Sequence, residues 1–337
     1  MERSKISYGY CSYSVRTFNK LWFINLPLRF VCDLVKISLH LSRLKKNTII
    51  HFIADGGFAV YRTLAVSFVA KIFSCPVVID ARGNSLNNFS EGKEVLFSRI
   101  SWALILNLSK FILVQQKHTY QSLCEKFNNK VIHHPNCIKE RPSSRSYEIL
   151  NSNKMKIGFV GYCYRKKGVF NLIEGCNTAS GIGAKIELTL IGEEEHSFST
   201  FLDDFKGNAN LTLRRLGRKS FDVVQQEMDK LDIFVFPSFH PGEGHPNIIN
   251  EAMSAQLAII TTKAGAIGEF LNVERCYFIK PHSADDIAEQ ILNILSDPYE
   301  AKKKAKEASQ YLKSNFSESV VYGELLKIYG ELIKCAV

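Results

Sequence analysis

Short runs of β-branched and aromatic residues alternate with stretches of helical length along nearly the whole chain, which leaves few folds open to it. In the first half the strand candidates are 48–53, 76–79, 111–114 and 131–133, separated by helical patterns at 59–72, 95–108 and 119–127. Strand, helix and strand in repetition build βαβ units and a parallel sheet. Residues 139–154, KERPSSRSYEILNSNK, lack an apolar period and read as a linker. The pattern then restarts, with strands expected at 156–160, 186–191, 211–216, 233–236 and 258–261. Helices are expected at 169–176, 220–228, 246–255, 283–295 and 299–314, and a last helical run covers 320–333. The fold class that follows is α/β, two Rossmann-like domains facing a cleft.

Size and composition agree with this. A chain of 337 residues, 46% hydrophobic and 23% charged, suffices for two cores of ordinary size. Nine cysteines with no CxxC pair argue against a disulfide framework or zinc ribbon and for a reducing, cytoplasmic setting. Residues 1–13 are polar and do not resemble a secretory signal. The most apolar early run, 21–44, is interrupted by Arg29, Asp33, Lys36 and Arg43, charges too costly for a bilayer centre. Its Trp22, Phe23 and Phe30 suit either a helix packed on the first sheet or one lying in a membrane interface.

Charge is distributed unevenly. Residues 1–150 hold 21 basic and 9 acidic side chains, whereas the remainder holds 22 and 24, so the whole formal excess of +10 lies in the first half. That half faces an anionic partner. With no zinc finger, RNP-type aromatic pattern or arginine-rich tract, nucleic acid is not expected. An anionic membrane surface fits, with the chain peripheral on its cytoplasmic face.

The stretch FPSFHPGEGHPNIINEAMS, 236–254, supplies the chemistry. It leaves a strand at its carboxyl end, where open α/β sheets bind ligands. Pro246 suits the first turn of the following helix, since its missing N–H would have no partner there. That helix end offers free N–H groups to a phosphate. Glu243 precedes the helix and Glu251 lies inside it, where a carboxylate suits a diol. No Cys, His and acid set has metal-ligand spacing, and GxGxxG is absent, so neither a metal site nor a dinucleotide fold is expected.

This region, followed by AIITTKAGAIGEF, resembles the EX7E segment of family 4 retaining glycosyltransferases, enzymes of the GT-B fold. MKIGFVGYCYRKKG at 155–168, LTLIG at 188–192, LRRLGR at 213–218 and VIHHPNCI at 131–138 resemble further family segments in the family's order. The resemblance implies 1–140 as an acceptor-side domain, 155–315 as a nucleotide-sugar donor domain and 316–337 as a helix crossing back to the first domain. It implies a hexosyltransferase-type enzyme moving sugar from a nucleotide diphosphate sugar to a glycan or lipid-linked hydroxyl in bacterial surface polysaccharide or lipopolysaccharide synthesis. No cofactor beyond the nucleotide sugar is implied. By the same resemblance Glu243 contacts the donor sugar and Glu251 the ribose. Lys167 meets the diphosphate, with Arg165 as a second cation. Gly161, Gly244, His245, Pro246 and Asn247 line the donor site.

Departures are specific. Tyr162 stands where the family has arginine, Cys137 and Gln256 replace customary glycines, and Arg82 occupies a customary histidine position, making it an acceptor-side candidate. The opening strand and glycine-rich loop have no counterpart, so the first domain is expected to be incomplete at its start. Two alternatives follow: a non-catalytic nucleotide- or partner-binding remnant, and a GT-B sugar-nucleotide epimerase.

Overall fold

The computed structural model describes residues 34–39, 41–43, 48–54, 57, 59–82, 85–127, 129–139 and 154–334. The expected linker and most of the 21–44 run fall outside the described residues. Four strands form the first sheet, β1 (Ile50–Ala54), β2 (Val77–Ala81), β3 (Phe111–Val114) and β4 (Val131–His133), all parallel and paired in chain order. Helices α1 (Ala59–Ile72), α2 (Ser85–Ser90), α3 (Leu96–Leu108) and α4 (Lys117–Phe127) connect them. The sequence does not announce α2, SLNNFS, because serine and asparagine favour turns and caps over helix interiors.

Alternation along β2 assigns the two faces of this sheet. Val77, Ile79 and Ala81 join Val60, Ala70, Trp102 and Ile105 in one core. Val78 and Leu113 face the opposite way and bury Ile328 and Leu332 of the last helix, α12 (Glu318–Lys334). A strand covered on both sides has no polar face to show, so β2 is buried throughout.

The second sheet has six parallel strands: β5 (Met155–Val160), β6 (Ile186–Ile191), β7 (Leu211–Gly217), β8 (Ile233–Phe236), β9 (Ala258–Thr261) and β10 (Tyr277–Phe278). Their spatial order is β10-β9-β8-β5-β6-β7. The chain builds outward from β5 to β7, then returns to lay β8, β9 and β10 on the other side of β5. Beyond the expected helices, three elements appear that the apolar pattern does not signal: α6 (His196–Asp204), α9 (Ile267–Phe270) and the two-residue β10. Helix α6 buries only Phe198, too sparse a stripe to read as a period.

Helices α10 (Ala284–Ser296) and α11 (Pro298–Phe316) begin at side-chain caps, Ser283 accepting from the Asp286 amide and Asp297 from that of Glu300. Pro298 occupies the first turn of α11, where no amide donor is required. At the end of α11 the chain meets the first domain again, with the Ile138 amide donating to the Phe316 carbonyl and the Glu318 amide donating back to Ile138. Among the described residues, no helix is long and apolar enough to cross a membrane.

Candidate functional site

Strand order reverses between β5 and β8, and the space beyond their carboxyl ends is where doubly wound sheets hold ligands. Two loops enter it. The first follows β5, and glycine makes it possible: Gly168 has φ +72°, and a Cβ there would sit 2.1 Å from the Pro237 carbonyl oxygen. Gly161 and Gly192 meet in the same manner, since a Cβ on Gly192 would lie 1.8 Å from the Gly161 carbonyl oxygen. Any side chain at either position would drive the β5 loop off its neighbouring strand end.

The second loop follows β8 and carries Glu243, which is buried. Lys167 Nζ donates to Glu243 Oε1 at 2.5 Å, and Ser238 Oγ donates to the same oxygen at 2.6 Å. The Lys167 ammonium also lies 5.1 Å from the Phe236 ring centroid. These partners are 76 positions apart in the chain, and only the β5–β8 adjacency brings them together. Helix α8 (Asn247–Ser254) starts immediately beyond, with Pro246 as its N-cap and Asn247 as its first residue. The helix begins one residue later than expected, so Pro246 stands before the first turn and not within it.

Glu251 lies inside α8, where its Oε2 accepts from Gln225 Nε2 at 2.6 Å. Gln225 belongs to α7 (Phe221–Met228), and its other amide atom, Oε1, is buried without a hydrogen-bond partner among the described residues. A half-satisfied buried amide beside a carboxylate is the kind of polar group a ligand completes. Sequence reading gave no role to Gln225 or Ser238; Ser238 lies within the motif, five residues before Glu243, whereas Gln225 meets it only after folding.

The structure does not bring every expected residue to the Lys167–Glu243 pair. Arg165 sits in a 3-10 turn, Arg165–Lys167, and its guanidinium lies 4.6 Å from the Phe170 ring centroid instead of reaching Glu243. Its aromatic neighbour belongs to the second domain's core, which holds that side chain outward. The His245 ring packs against Phe270 and Phe316, with centroids 4.2 Å and 4.5 Å away, and its Nε2 is 2.9 Å from Asn250 Oδ1. That ring packs against the end of α11, while the His245 carbonyl reaches across the junction to the first domain. Gly244 sits at the same junction, where an added Cβ would lie 3.2 Å from Gln115 Oε1 of the first domain.

Asn136 stitches the two walls together. Its Nδ2 donates to the His245 carbonyl at 2.6 Å, its carbonyl accepts from Asn250 Nδ2 at 3.2 Å, and its Oδ1 accepts from Gln115 Nε2 at 2.6 Å. Arg82 donates to the same Oδ1 and pairs with Asp80. Burial alone would raise the Asp80 carboxyl, but hydrogen bonds from His51 and Arg82 outweigh it and hold the group below the ordinary carboxylate range. Arg82 thus lines the first-domain wall beside the Glu243 loop. A separate cavity of about 310 Å³ lies behind this seam, lined in part by Gln115, Lys117, His133, Glu269 and Phe316.

Burial pushes His245 and His134 down to about 4, against the weaker opposing pull of Asn250 on the first and Asp80 on the second. Both are therefore neutral in the folded chain and protonate on unfolding below their ordinary value near 6.5. The unfolded state then binds more protons, so stability is full above pH 6.5 and is lost as pH falls towards 4. Each histidine is expected to remove about 2 kcal/mol by pH 5. A plot of unfolding midpoint against pH measures this, and His245→Phe should remove that histidine's share of the slope over the same window.

Comparisons with known proteins fit this geometry. Residues 154–297 match the model of the family described as glycosyl transferases group 1. The capsular polysaccharide biosynthesis glycosyltransferase CapM of Staphylococcus aureus is 26% identical over 192 residues, covering 56% of this chain and 49% of CapM. The chain thus spans about half the length of that relative. The crystal structure of Anabaena Alr3699/HepE in complex with UDP superposes with a TM-score of 0.69 at 13% identity, covering 88% of this chain and 82% of that one. A glycosyltransferase from Rickettsia africae reaches a TM-score of 0.70 at 17% identity, covering 96% and 85%. The chain has the GT-B architecture, two Rossmann-like domains, with the Lys167–Glu243 pair at the switch point of the second.

Proposed function

We propose that the chain is a retaining, hexosyltransferase-type glycosyltransferase, moving a sugar from a nucleotide diphosphate sugar to a hydroxyl of a glycan or lipid-linked acceptor in bacterial surface polysaccharide synthesis. The observation that carries this reading is the part-buried cation–carboxylate pair held on two glycine-cradled loops at a strand-order reversal. CapM's role in capsular polysaccharide biosynthesis and the UDP bound to HepE support the same direction.

In this reading the second domain, 155–315, holds the donor. The diphosphate lies between Lys167 and the amino end of α8, whose free N–H groups favour an anion. As the bond from the anomeric carbon to the diphosphate oxygen breaks, negative charge grows on the departing group. Lys167 exchanges its Glu243 partner for that charge, and a cation already fixed by Phe236 and the turn needs little reorganisation. Glu243, freed from the ammonium, accepts hydrogen bonds from the sugar hydroxyls. Glu251, presented by Gln225, accepts from the ribose diol. Arg82, fixed by Asp80 and Asn136, faces the acceptor from the first domain.

A thermal-shift panel of nucleoside diphosphates and their sugars tests the reading. One nucleoside diphosphate should raise the unfolding midpoint, because ligand binding to the native state adds stability of about 2.7 kcal/mol at a hundredfold excess over Kd. Glu251→Ala should reduce that rise at fixed ligand concentration, corresponding to about tenfold or greater weakening of a charge-assisted contact. A panel in which no nucleotide shifts the midpoint sinks the proposal.

A further inference from the structure

Helices α1 and α3 lie side by side on the outer face of the first sheet. Their inner faces are spent on the core: Val60, Ala70, Trp102, Ile105 and Leu106 are buried there. Their outer faces should then be polar, as on any solvated helix. They are not. Leu96, Phe97, Ile100 and Leu104 of α3 and Phe68 and Ile72 of α1 are all exposed, Phe97 at 75% and Ile72 at 77% of their full surface. On α3 these four positions recur at helical spacing and form one stripe. An apolar patch of this kind on a single chain marks a contact surface.

Charge identifies the partner. Neither helix contains an acidic residue, whereas Lys71 and Arg99 are exposed on them and Lys110 follows α3. Glu91 and Glu94 precede α3, and Glu91 is paired with Lys93 at 2.6 Å. The first 150 residues carry the whole of the chain's positive excess. Aromatic and aliphatic side chains rimmed by cations match the interface of an anionic bilayer, with ring and chain ends among the acyl groups and the cations at the phosphates.

We propose that the α1–α3 face is a membrane-docking surface that seats the first domain on an anionic lipid bilayer. The surface is independent of the donor site, though it gives a lipid-linked acceptor a reason to reach this cleft.

Vesicle flotation of the full chain tests this directly, using phosphatidylcholine vesicles with or without about 30% phosphatidylglycerol. The chain should float with the anionic vesicles, less so as salt is raised, and hardly at all with phosphatidylcholine alone. The double variant Phe97→Asp, Ile100→Asp should bind at least about tenfold more weakly. Both positions are exposed, so its unfolding midpoint and its response to nucleoside diphosphates should match the parent's. Lys71→Gln with Arg99→Gln should lose the preference for anionic lipid specifically. A parent chain that floats with neither vesicle overturns the proposal. So does a parent that sediments as a dimer which Phe97→Asp converts to monomer, because a second copy would then cover the face. Equal flotation of parent and double variant would equally overturn it, assigning lipid contact to another segment. Nucleotide binding is read separately, so loss of the docking surface and loss of the donor reading remain distinct results.

Discussion

Lys167→Ala should lower turnover by about 100- to 1,000-fold, the effect of removing one preorganised charge from a developing anion. The same substitution should destabilise the chain by about 3 kcal/mol, because Glu243 is buried and, among the described residues, would keep Ser238 alone as a side-chain partner. Stability and turnover are separable through two further variants. Glu243→Gln keeps the hydrogen bond to Lys167 while removing the charge, and should lower turnover with little change in donor affinity. Glu251→Ala should do the opposite, weakening the donor while leaving bound-donor turnover near the parent's. Steady-state kinetics with the nucleotide sugar selected by thermal shift measures both. Equal losses of donor affinity in the Glu243 and Glu251 variants would refute separate roles.

Gly265→Ala should be among the most damaging substitutions that remove no functional group. Gly265 has φ +55°, and a Cβ there would stand 2.0 Å from the Glu243 carbonyl oxygen, a backbone atom with nowhere cheap to go. The same carbonyl accepts from the Ala266 amide at 2.9 Å, so the clash strikes the contact that fixes the Glu243 loop. A cost of about 2–4 kcal/mol is expected, roughly 3–6 °C in unfolding midpoint for a chain of this size, together with weaker turnover. Gly217→Ala is the control. It has a comparable φ of +63° but open space around its Cβ, so it should cost only about 1 kcal/mol of backbone strain. If both substitutions cost the same, strain alone explains the effect and the loop contact contributes nothing.

The two predictions also divide what local pattern reveals from what it hides. The cores of most strands are legible because buried parallel strands are short apolar runs such as IFVF and AIIT, bounded by polar and turn residues. Helix ends are less legible. Pro246 looks like a first-turn residue, yet an extended backbone at ψ 121° makes it the cap. Glu243 and Glu251 stand out as acids on either side of a helix start, and Lys167 through its likeness to the family's diphosphate lysine. Arg165 and Lys167 lie two positions apart in the sequence, the second expected at the diphosphate and the first as its companion. Folding separates them: Phe170 takes one and Glu243 the other.

His245 shows the same limit more sharply. Its place in GEGHPN suggests a ligand contact, but Phe270 and Phe316, which enclose its ring, come from distant segments. Glu269 gives no local signal at all, yet it accepts from the Lys117 and His118 amides at 2.7 Å and 3.2 Å and caps a helix of the other domain.

What the sequence alone determined is the alternation of strand and helix, the two-sheet class and the loop able to receive a phosphate, since these rest on short-range periodicity and on glycine. Strand order, the β5–β8 reversal, the Lys167–Glu243 pair and the Asn136 seam were decided only by the tertiary structure. Each joins residues dozens to more than a hundred positions apart, and no local preference encodes which strands become neighbours.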